Sequence, residues 1–297
     1  MKAHAFSLLA LLALTLPSFA DGKLRVSSFS TVLTEIAEQV GGDRVAVTSH
    51  VKPGVDPHEY EPKPADLKAV GEAKVVLLSA KHMEGYVGKL KESTGTKGAL
   101  VEVGDKFDSL KMKPEKGHEG HAHASDEDPH WWHSIGNMRK AVEVVRDALI
   151  KASPADTATF KDNAAKYQGR LGALQKWVKA EIAKLPRDQR KLVTSHDAFQ
   201  YFARENGFEI FAIEGLSSAD QPSSKKVGEI IATIKAQGVK AIFAEKIENP
   251  KVLKEITRES GAKMGGELYA DGLGEGDAAT YEGMYRHNVG TIVKALQ

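Results

Sequence analysis

The stretch PADTATFKDNAAKYQGRLGALQKWVKAEIAKL, residues 154–185, decides how the two halves of this 297-residue chain are joined. It is rich in Ala, Lys, Gln and Glu, which favour helix, and its apolar residues recur at helical spacing. Ser153-Pro154 can supply an N-cap and a first turn, and Pro186 ends the pattern. One helix of this length would measure roughly 45 Å, enough to cross a whole domain. The apolar positions are Leu171, Leu174, Trp177 and Ile182.

We therefore expect a linking helix within residues 151–186; the alternative is two shorter helices broken at Gly169 or Gly172. On each side of it, short β-rich runs alternate with helical patterns, which predicts an α/β protein with mostly parallel sheets. The expected fold is two α/β lobes, residues 21–150 and 187–297, joined by one long rigid helix. The predicted strands are 24–29, 45–51, 75–78, 100–103, 191–194, 209–213 and 241–244.

Residues 1–20 have the composition of a secretory signal peptide. A short basic start precedes the apolar run Phe6–Leu16, and Ser18-Phe19-Ala20 supplies small residues for cleavage after Ala20. The apolar run is too short to span a bilayer, and the chain has no cysteine that could carry a lipid. We expect a periplasmic protein without a lipid anchor. Because the formal charge is only +1, nucleic acid and anionic membranes are not expected as partners.

The tripeptide Asp-Pro-His occurs twice, ending at His58 and at His130. A proline before each histidine restricts the backbone, so each imidazole sits on a stiff loop, which suits a metal ligand. The alternative is an ordinary turn histidine. Asp56 and Asp128 can accept a hydrogen bond from a ring N–H, although Asx-Pro turn chemistry explains them equally well.

Two further candidates follow strand-like runs. His196 comes just after Leu192–Thr194, where open α/β sheets place ligand-binding groups, and Asp271 follows a strand end in GGELYADGLGEG. The alternatives are a surface histidine beside a capping Ser195, and a common Asp-Gly turn. Three imidazoles and one carboxylate fit tetrahedral coordination of a borderline metal such as zinc, whereas calcium and magnesium prefer oxygen shells.

The other histidines are weaker candidates. His133 lies three residues beyond His130 and could substitute for it if a helix starts there. Residues 106–128 carry few apolar side chains and are predicted to form a mobile surface loop that holds metal only weakly. The histidines in that loop are His118, His121 and His123. The histidines expected to be structural or at the surface are His50, His82 and His287.

Several segments together resemble the periplasmic metal-binding receptors of ABC importers, in their zinc and manganese branch. These are VSSFSTVLTEIAEQVGGDRVAV, VKPGVDPHEYEPKPADLKAVGEAKVVLL, DPHWWHS, SHDAFQYFARENGF, IFAEKIENPKVLKEI and ELYADGL. The resemblance implies a metal site in the cleft between the lobes, with ligands at His58, His130, His196 and Asp271. Manganese-type receptors usually carry glutamate at the third position, so His196 indicates zinc.

The chain departs from this family pattern at DPHWWHS, which has a second Trp and an extra His133, and at SAKHMEGYVGKL, which lacks the usual Asn-Gly-Leu. The resemblance implies a monomeric zinc receptor that delivers Zn²⁺ to a membrane permease and receives it in some cases from a periplasmic metallochaperone. One alternative is a zinc hydrolase with Glu245 as general base, although no HExxH motif is present. The other is a surface adhesin, against which the missing lipid anchor argues.

Overall fold

The computed structural model describes residues 22–111, 127–215, 222–245 and 251–297, and within them the two-lobe α/β architecture is confirmed. Each lobe contains a four-stranded parallel sheet. The first sheet has the order β2-β1-β3-β4, with β1 Leu24–Ser28, β2 Val45–Ser49, β3 Val75–Leu78 and β4 Ala99–Glu102. The second has the order β6-β5-β7-β8, with β5 Lys191–Thr194, β6 Glu209–Ala212, β7 Ala241–Glu245 and β8 Lys263–Leu268.

The helices pack against the sheets and against one another. In the first lobe they are α1 Thr31–Gly41, α2 Pro64–Glu72, α3 Val87–Thr94 and α4 Ile135–Ala152. In the second they are α6 Gln200–Asn206, α7 Ser224–Gln237, α8 Lys251–Ser260 and α9 Tyr281–Leu296. The long helix α5, Thr157–Ile182, lies between them. No helix in the described part of the chain has both the length and the apolar character that crossing a bilayer requires.

Helix α5 is a single 26-residue helix, as expected, and measures about 39 Å. It runs unbroken through Gly169 and Gly172 because its apolar face is continuous and packs against α1, α4 and α9. Its start differs from the prediction: Pro154–Asp156 forms a 3-10 turn, and the Ser153 hydroxyl donates to the Asp156 carboxylate at 2.7 Å. The buried residues of α5 are Phe160, Ala164, Tyr167, Leu171, Leu174, Val178 and Ile182.

Strand β8 was predicted only at its end, because its sequence KMGGEL contains two consecutive glycines that weaken a strand pattern. The structure shows why one glycine is needed. A Cβ atom on Gly265 would lie 2.5 Å from the ring of Phe243 on the neighbouring strand. Gly266 has φ +128°, and the register between β7 and β8 shifts at this point. Glycine here allows close approach between the two strands.

Two segments predicted from the sequence fall partly or wholly outside the described residues. The predicted signal peptide, residues 1–20, lies outside them, and so do positions 112–126 of the predicted loop 106–128. The ends of that loop are described: Lys111 and Glu127 form an antiparallel bridge. The domain boundaries at residues 150 and 187 stay predictions.

A buried carboxyl group joins the two lobes behind the sheets. Glu35 of α1 is 6% exposed and accepts hydrogen bonds from the Tyr167 hydroxyl of α5, at 3.1 Å, and from the Tyr281 backbone N–H at the start of α9. Burial raises the pKa of Glu35 to about 7, although these two hydrogen bonds oppose the shift. The folded protein therefore holds a proton on Glu35 between pH 4.5 and 7, where the unfolded chain has released it.

We expect the Glu35→Gln variant to gain stability relative to the wild-type protein as the pH rises. Since the folded-state pKa is the higher one, the wild-type protein loses stability between pH 4.5 and 7, and a neutral amide removes this loss. From pH 5 to pH 8 the unfolding free energy of E35Q should gain about 2 to 3 kcal/mol on that of the wild type. Urea denaturation at both pH values measures it. Parallel profiles for the two proteins would show that Glu35 does not titrate in this range.

Candidate metal centre

The four predicted ligand side chains converge on one point. One ligand atom from each of His58, His130, His196 and Asp271 lies within 4.8 Å of the others. The Nε2 atoms of His58 and His130 are 3.2 Å apart, and Asp271 Oδ1 lies 3.6, 3.5 and 3.3 Å from the Nε2 atoms of His58, His130 and His196. A tetrahedron with metal–ligand bonds of 2.0–2.2 Å has edges of about 3.3 to 3.6 Å. Four of the six separations between the ligand atoms therefore lie close to the edges of a tetrahedral site.

Each lobe contributes two of these side chains, from connections that follow the carboxyl ends of its strands. His58 lies on the loop after β2, and His130 precedes the 3-10 turn Trp131–His133. His196 lies two residues after the end of β5, and Asp271 lies three residues after the end of β8. Ligand groups in open α/β sheets gather at this edge, and here the edges of two sheets face each other.

The repeated Asp-Pro-His tripeptide forms the same local turn in both places. Asp56 Oδ1 accepts from the backbone N–H of His58 at 2.8 Å, and Asp128 Oδ1 accepts from that of His130 at 2.9 Å. Both alternatives considered from sequence are present at the second copy, since Asp128 Oδ1 also accepts from His130 Nδ1 at 2.9 Å. The turn fixes the backbone of each histidine, and Asp128 additionally fixes the imidazole of His130.

Carboxylates behind two of the imidazoles determine which ring nitrogen faces the centre. Asp128 pairs with Nδ1 of His130, and Glu245, at the end of β7, pairs with Nδ1 of His196. Glu245 also accepts from the His196 backbone N–H at 3.3 Å. Because each carboxylate accepts a hydrogen bond from Nδ1–H, the proton of the neutral ring stays on Nδ1 and the Nε2 lone pair faces the centre. The sequence suggested Glu245 only as the general base of a hydrolase, and this orienting role was missed.

The charge distribution of the site favours a bound cation. Burial lowers the pKa of His130 and His196, but the Asp128, Glu245 and Asp271 carboxylates outweigh it, so that both pKa values lie above the usual 6.5. Burial raises the pKa of Asp271, but the surrounding imidazoles hold it well below its usual value. A divalent ion bound here supplies the positive charge that protons on the imidazoles supply when no ion is bound.

A cavity of about 260 Å³ lies beside this centre, between a loop of each lobe. It is lined by the 51–55 loop of the first lobe and the 268–275 loop of the second, and the side chains of Glu245 and Asp271 form part of its wall. Thr31, at the start of α1, lies beside them. Asp271, one of the four candidate ligands, therefore borders this cavity.

The remaining described histidines lie outside the cluster. His133 donates through Nε2 to the Ala270 carbonyl at 2.7 Å, so the structure does not support it as a substitute ligand. His50 pairs with Asp66 at 3.0 Å, and His287 contacts the Glu267 carbonyl at 2.9 Å. His82 is exposed. The loop histidines 118, 121 and 123 fall outside the described residues.

Known proteins match the chain over nearly its whole length. A profile of the family described as "ZnuA: Zinc-uptake complex component A periplasmic" matches residues 26–295. The manganese-binding lipoprotein MntA of Bacillus subtilis (strain 168) is 36% identical over 285 residues, covering 94% of this chain and 91% of that protein. The zinc-binding protein TroA of Treponema pallidum (strain Nichols) is 30% identical over 285 residues, covering 93% and 90%.

A solved structure shows the same fold. The periplasmic zinc-binding protein TroA from Treponema pallidum matches with a TM-score of 0.83 at 29% identity, covering 93% of this chain and 99% of that one. The architecture, the family profile and the sequence relatives agree over both lobes and the long helix. The chain therefore belongs to the ZnuA family of periplasmic metal-binding receptors, which deliver a metal ion to the permease of an ABC importer.

Proposed function

We propose that this receptor carries zinc, and that His58, His130, His196 and Asp271 bind it. The observation that supports this most strongly is the donor set of three Nε2 atoms and one carboxylate oxygen. Four of the six separations between these atoms are 3.2 to 3.6 Å. Capture and release of an ion need no bond-making chemistry. The protein has only to present three neutral imidazoles and one ionised carboxylate at fixed positions.

Zinc rather than manganese is favoured by the chemistry of the ligands. Imidazole nitrogen suits zinc, whereas manganese prefers carboxylate, carbonyl and water oxygens, and it binds more weakly to a given site in the series of divalent ions. A site with three imidazoles and one carboxylate is poor in oxygen. The relatives include proteins named for both ions, so the choice rests on the donor set of this chain.

Release does not require a wide hinge motion in this proposal. Helix α5 packs against α1 and α4 of the first lobe and α9 of the second, and a rigid helix of this length resists large lobe rotation. The 51–55 and 268–275 loops line the cavity that borders Asp271. Local shifts of these loops are the simplest way to free the ion.

A zinc hydrolase is disfavoured by the arrangement. Catalytic zinc keeps an open coordination position for water, and here a fourth protein side chain, Asp271, occupies the corresponding corner of the cluster. The candidate base Glu245 is already paired with His196 Nδ1. The adhesin reading, the absence of a lipid anchor, a monomeric state and a metallochaperone partner stay predictions.

The proposal is tested by metal competition on the purified protein after chelation. We expect one tightly bound zinc ion per chain, with an affinity at least about 100-fold above that for manganese, because the donor set is rich in nitrogen. A chromophoric chelator in equilibrium with each ion measures both constants. Equal or tighter binding of manganese would contradict the zinc assignment while leaving the metal receptor intact.

Deletion of residues 117–125, which contain the three loop histidines, is expected to leave the tight zinc site unchanged. The four converging side chains lie outside this segment, and the hydrogen bonds that orient them come from Asp56, Asp128 and Glu245. Titration calorimetry should give one tight site with the affinity of the full chain. Loss of that site would show that the segment contributes to the centre itself.

A further inference from the structure

The unusual Trp-Trp-His sequence after His130 reaches across the cleft to the segment that carries Asp271. Trp132 donates through Nε1 to the Ala270 carbonyl at 2.8 Å, and His133 donates through Nε2 to the same oxygen at 2.7 Å. Both side chains are buried, at 2% and 1% exposure. A carbonyl oxygen has two lone pairs, so the residue before Asp271 is held by two donors from the opposite lobe.

Backbone carbonyls of the same turn accept hydrogen bonds from the second lobe. Tyr281 donates through its hydroxyl to the Trp132 carbonyl at 2.7 Å, and Tyr285 donates to the His133 carbonyl at 2.7 Å. Both tyrosines are buried on α9 of the second lobe. Four buried hydrogen bonds therefore join the turn after His130 to the second lobe, where each is costly to break.

The imidazole of His133 also packs against the segment that follows His196, the other candidate ligand from the second lobe. Its ring lies 4.3 Å from the ring of Phe199, at an interplanar angle of 33°. Phe199 is three residues beyond His196 and directly precedes α6. Burial lowers the pKa of His133 to about 3, so the ring is neutral at ordinary pH. One side chain thus touches both segments that bring the second lobe to the centre.

The Asp271 segment is held on its other side too. Leu273 donates its backbone N–H to the Thr31 hydroxyl of α1 at 2.8 Å. Gly272 has φ +151°, and a Cβ atom there would lie 2.4 Å from the Thr31 hydroxyl oxygen, so this close approach requires glycine. Asp271 therefore lies between two attachments to the first lobe, one at Ala270 and one at Leu273.

We propose that His133 is a positioning residue that sets the metal selectivity of the centre, an inference that rests on the proposed zinc-binding function. By holding Ala270, it keeps the Asp271 carboxylate at a fixed distance from His130 and His196. A fixed, compact spacing suits zinc, with four ligands at 2.0–2.2 Å. Manganese prefers more oxygen ligands and an octahedral shell. Greater mobility of Asp271 therefore lowers the affinity for zinc more than the affinity for manganese.

Two substitutions separate the hydrogen bond from the packing of the ring. His133→Phe keeps an aromatic ring against Phe199 but removes the donor to Ala270, whereas His133→Gln keeps an N–H donor and removes the ring. We expect the zinc affinity of H133F to fall about 10- to 100-fold, as for other residues that orient metal ligands. The ratio of zinc to manganese affinity should fall at least about fivefold, and H133Q should recover most of that ratio.

The measurements are zinc and manganese affinities by chelator competition, with thermal unfolding of the metal-free proteins as a record of folding. An unchanged zinc-to-manganese ratio in H133F would overturn the proposal, and so would equal losses in H133F and H133Q. If H133F does not fold, Trp132→Phe removes the other donor to the same carbonyl. A lowered ratio in W132F then supports the role of the Ala270 contact, and an unchanged ratio overturns it.

The outcome is distinguishable from a failure of the proposed function. A wild-type protein that binds no zinc would contradict the zinc receptor itself, and the positioning role of His133 with it. A wild-type protein that binds zinc tightly, beside variants with unaltered selectivity, would contradict only the role of His133.

Discussion

Replacement of His196 by alanine is expected to lower zinc affinity by more than about 100-fold, since residues that merely orient a ligand already cost 10- to 100-fold. His196 is fully buried, and its Nε2 lies 3.3 Å from Asp271 Oδ1 at the centre of the cluster. Its loss removes one of three nitrogen donors and leaves the buried Glu245 carboxylate without its imidazole partner. Competition with a zinc-chelating dye measures the change.

A matched control is His287→Ala, which removes an exposed histidine of the same lobe that lies outside the cluster. H287A should bind zinc as the wild type does. Should H196A also retain wild-type affinity, His196 would not be a ligand, and the cluster would lose the residue that most favours zinc over manganese.

The substitution Asp271→Asn is expected to lower zinc affinity by a comparable factor, again more than about 100-fold, while keeping the shape of the side chain. The carboxylate is 4% exposed and lies within 3.6 Å of the Nε2 atoms of His58, His130 and His196. It supplies the only formal negative charge among the four clustered side chains. An amide oxygen offers zinc a dipole in place of that charge in a buried site, where charge counts most.

Titration calorimetry at constant pH measures the loss, and Asp277→Asn serves as the control, because Asp277 is an exposed aspartate a few residues further along the chain. We expect D277N to match the wild type in both affinity and stoichiometry. Binding by D271N as tight as that of the wild type would place the metal elsewhere than between these four side chains.

Much of the fold could be predicted from local patterns. Strands 75–78 and 191–194 were predicted to the residue, since each is a short apolar or β-branched run with clear limits. Helix α5 was predicted as one element because its apolar face continues past Gly169 and Gly172. Strand β8 was predicted only at its end, since the contact of Gly265 with Phe243 is a tertiary requirement that no local pattern shows.

The candidate ligands could be found because each has a local signature: a repeated turn for His58 and His130, and a strand end for His196 and Asp271. Asp128, which orients His130, could be found from the same repeated tripeptide, but the orienting residues that come from distant parts of the chain could not. Glu245 meets His196 from the neighbouring strand, and His133 meets Ala270 across 137 positions of sequence. Such pairs form only when the two sheets and the long helix pack together, and no local sequence pattern shows that the two residues of a pair will meet.

The central claim is that one metal ion binds between the lobes to His58, His130, His196 and Asp271. An anomalous difference map from a crystal of the zinc-loaded protein, recorded at the zinc absorption edge, tests it most directly. We expect a single strong peak 2.0 to 2.2 Å from the three Nε2 atoms and from an Asp271 carboxylate oxygen. A strong peak elsewhere, with these four side chains unchanged and no density between them, would contradict the claim.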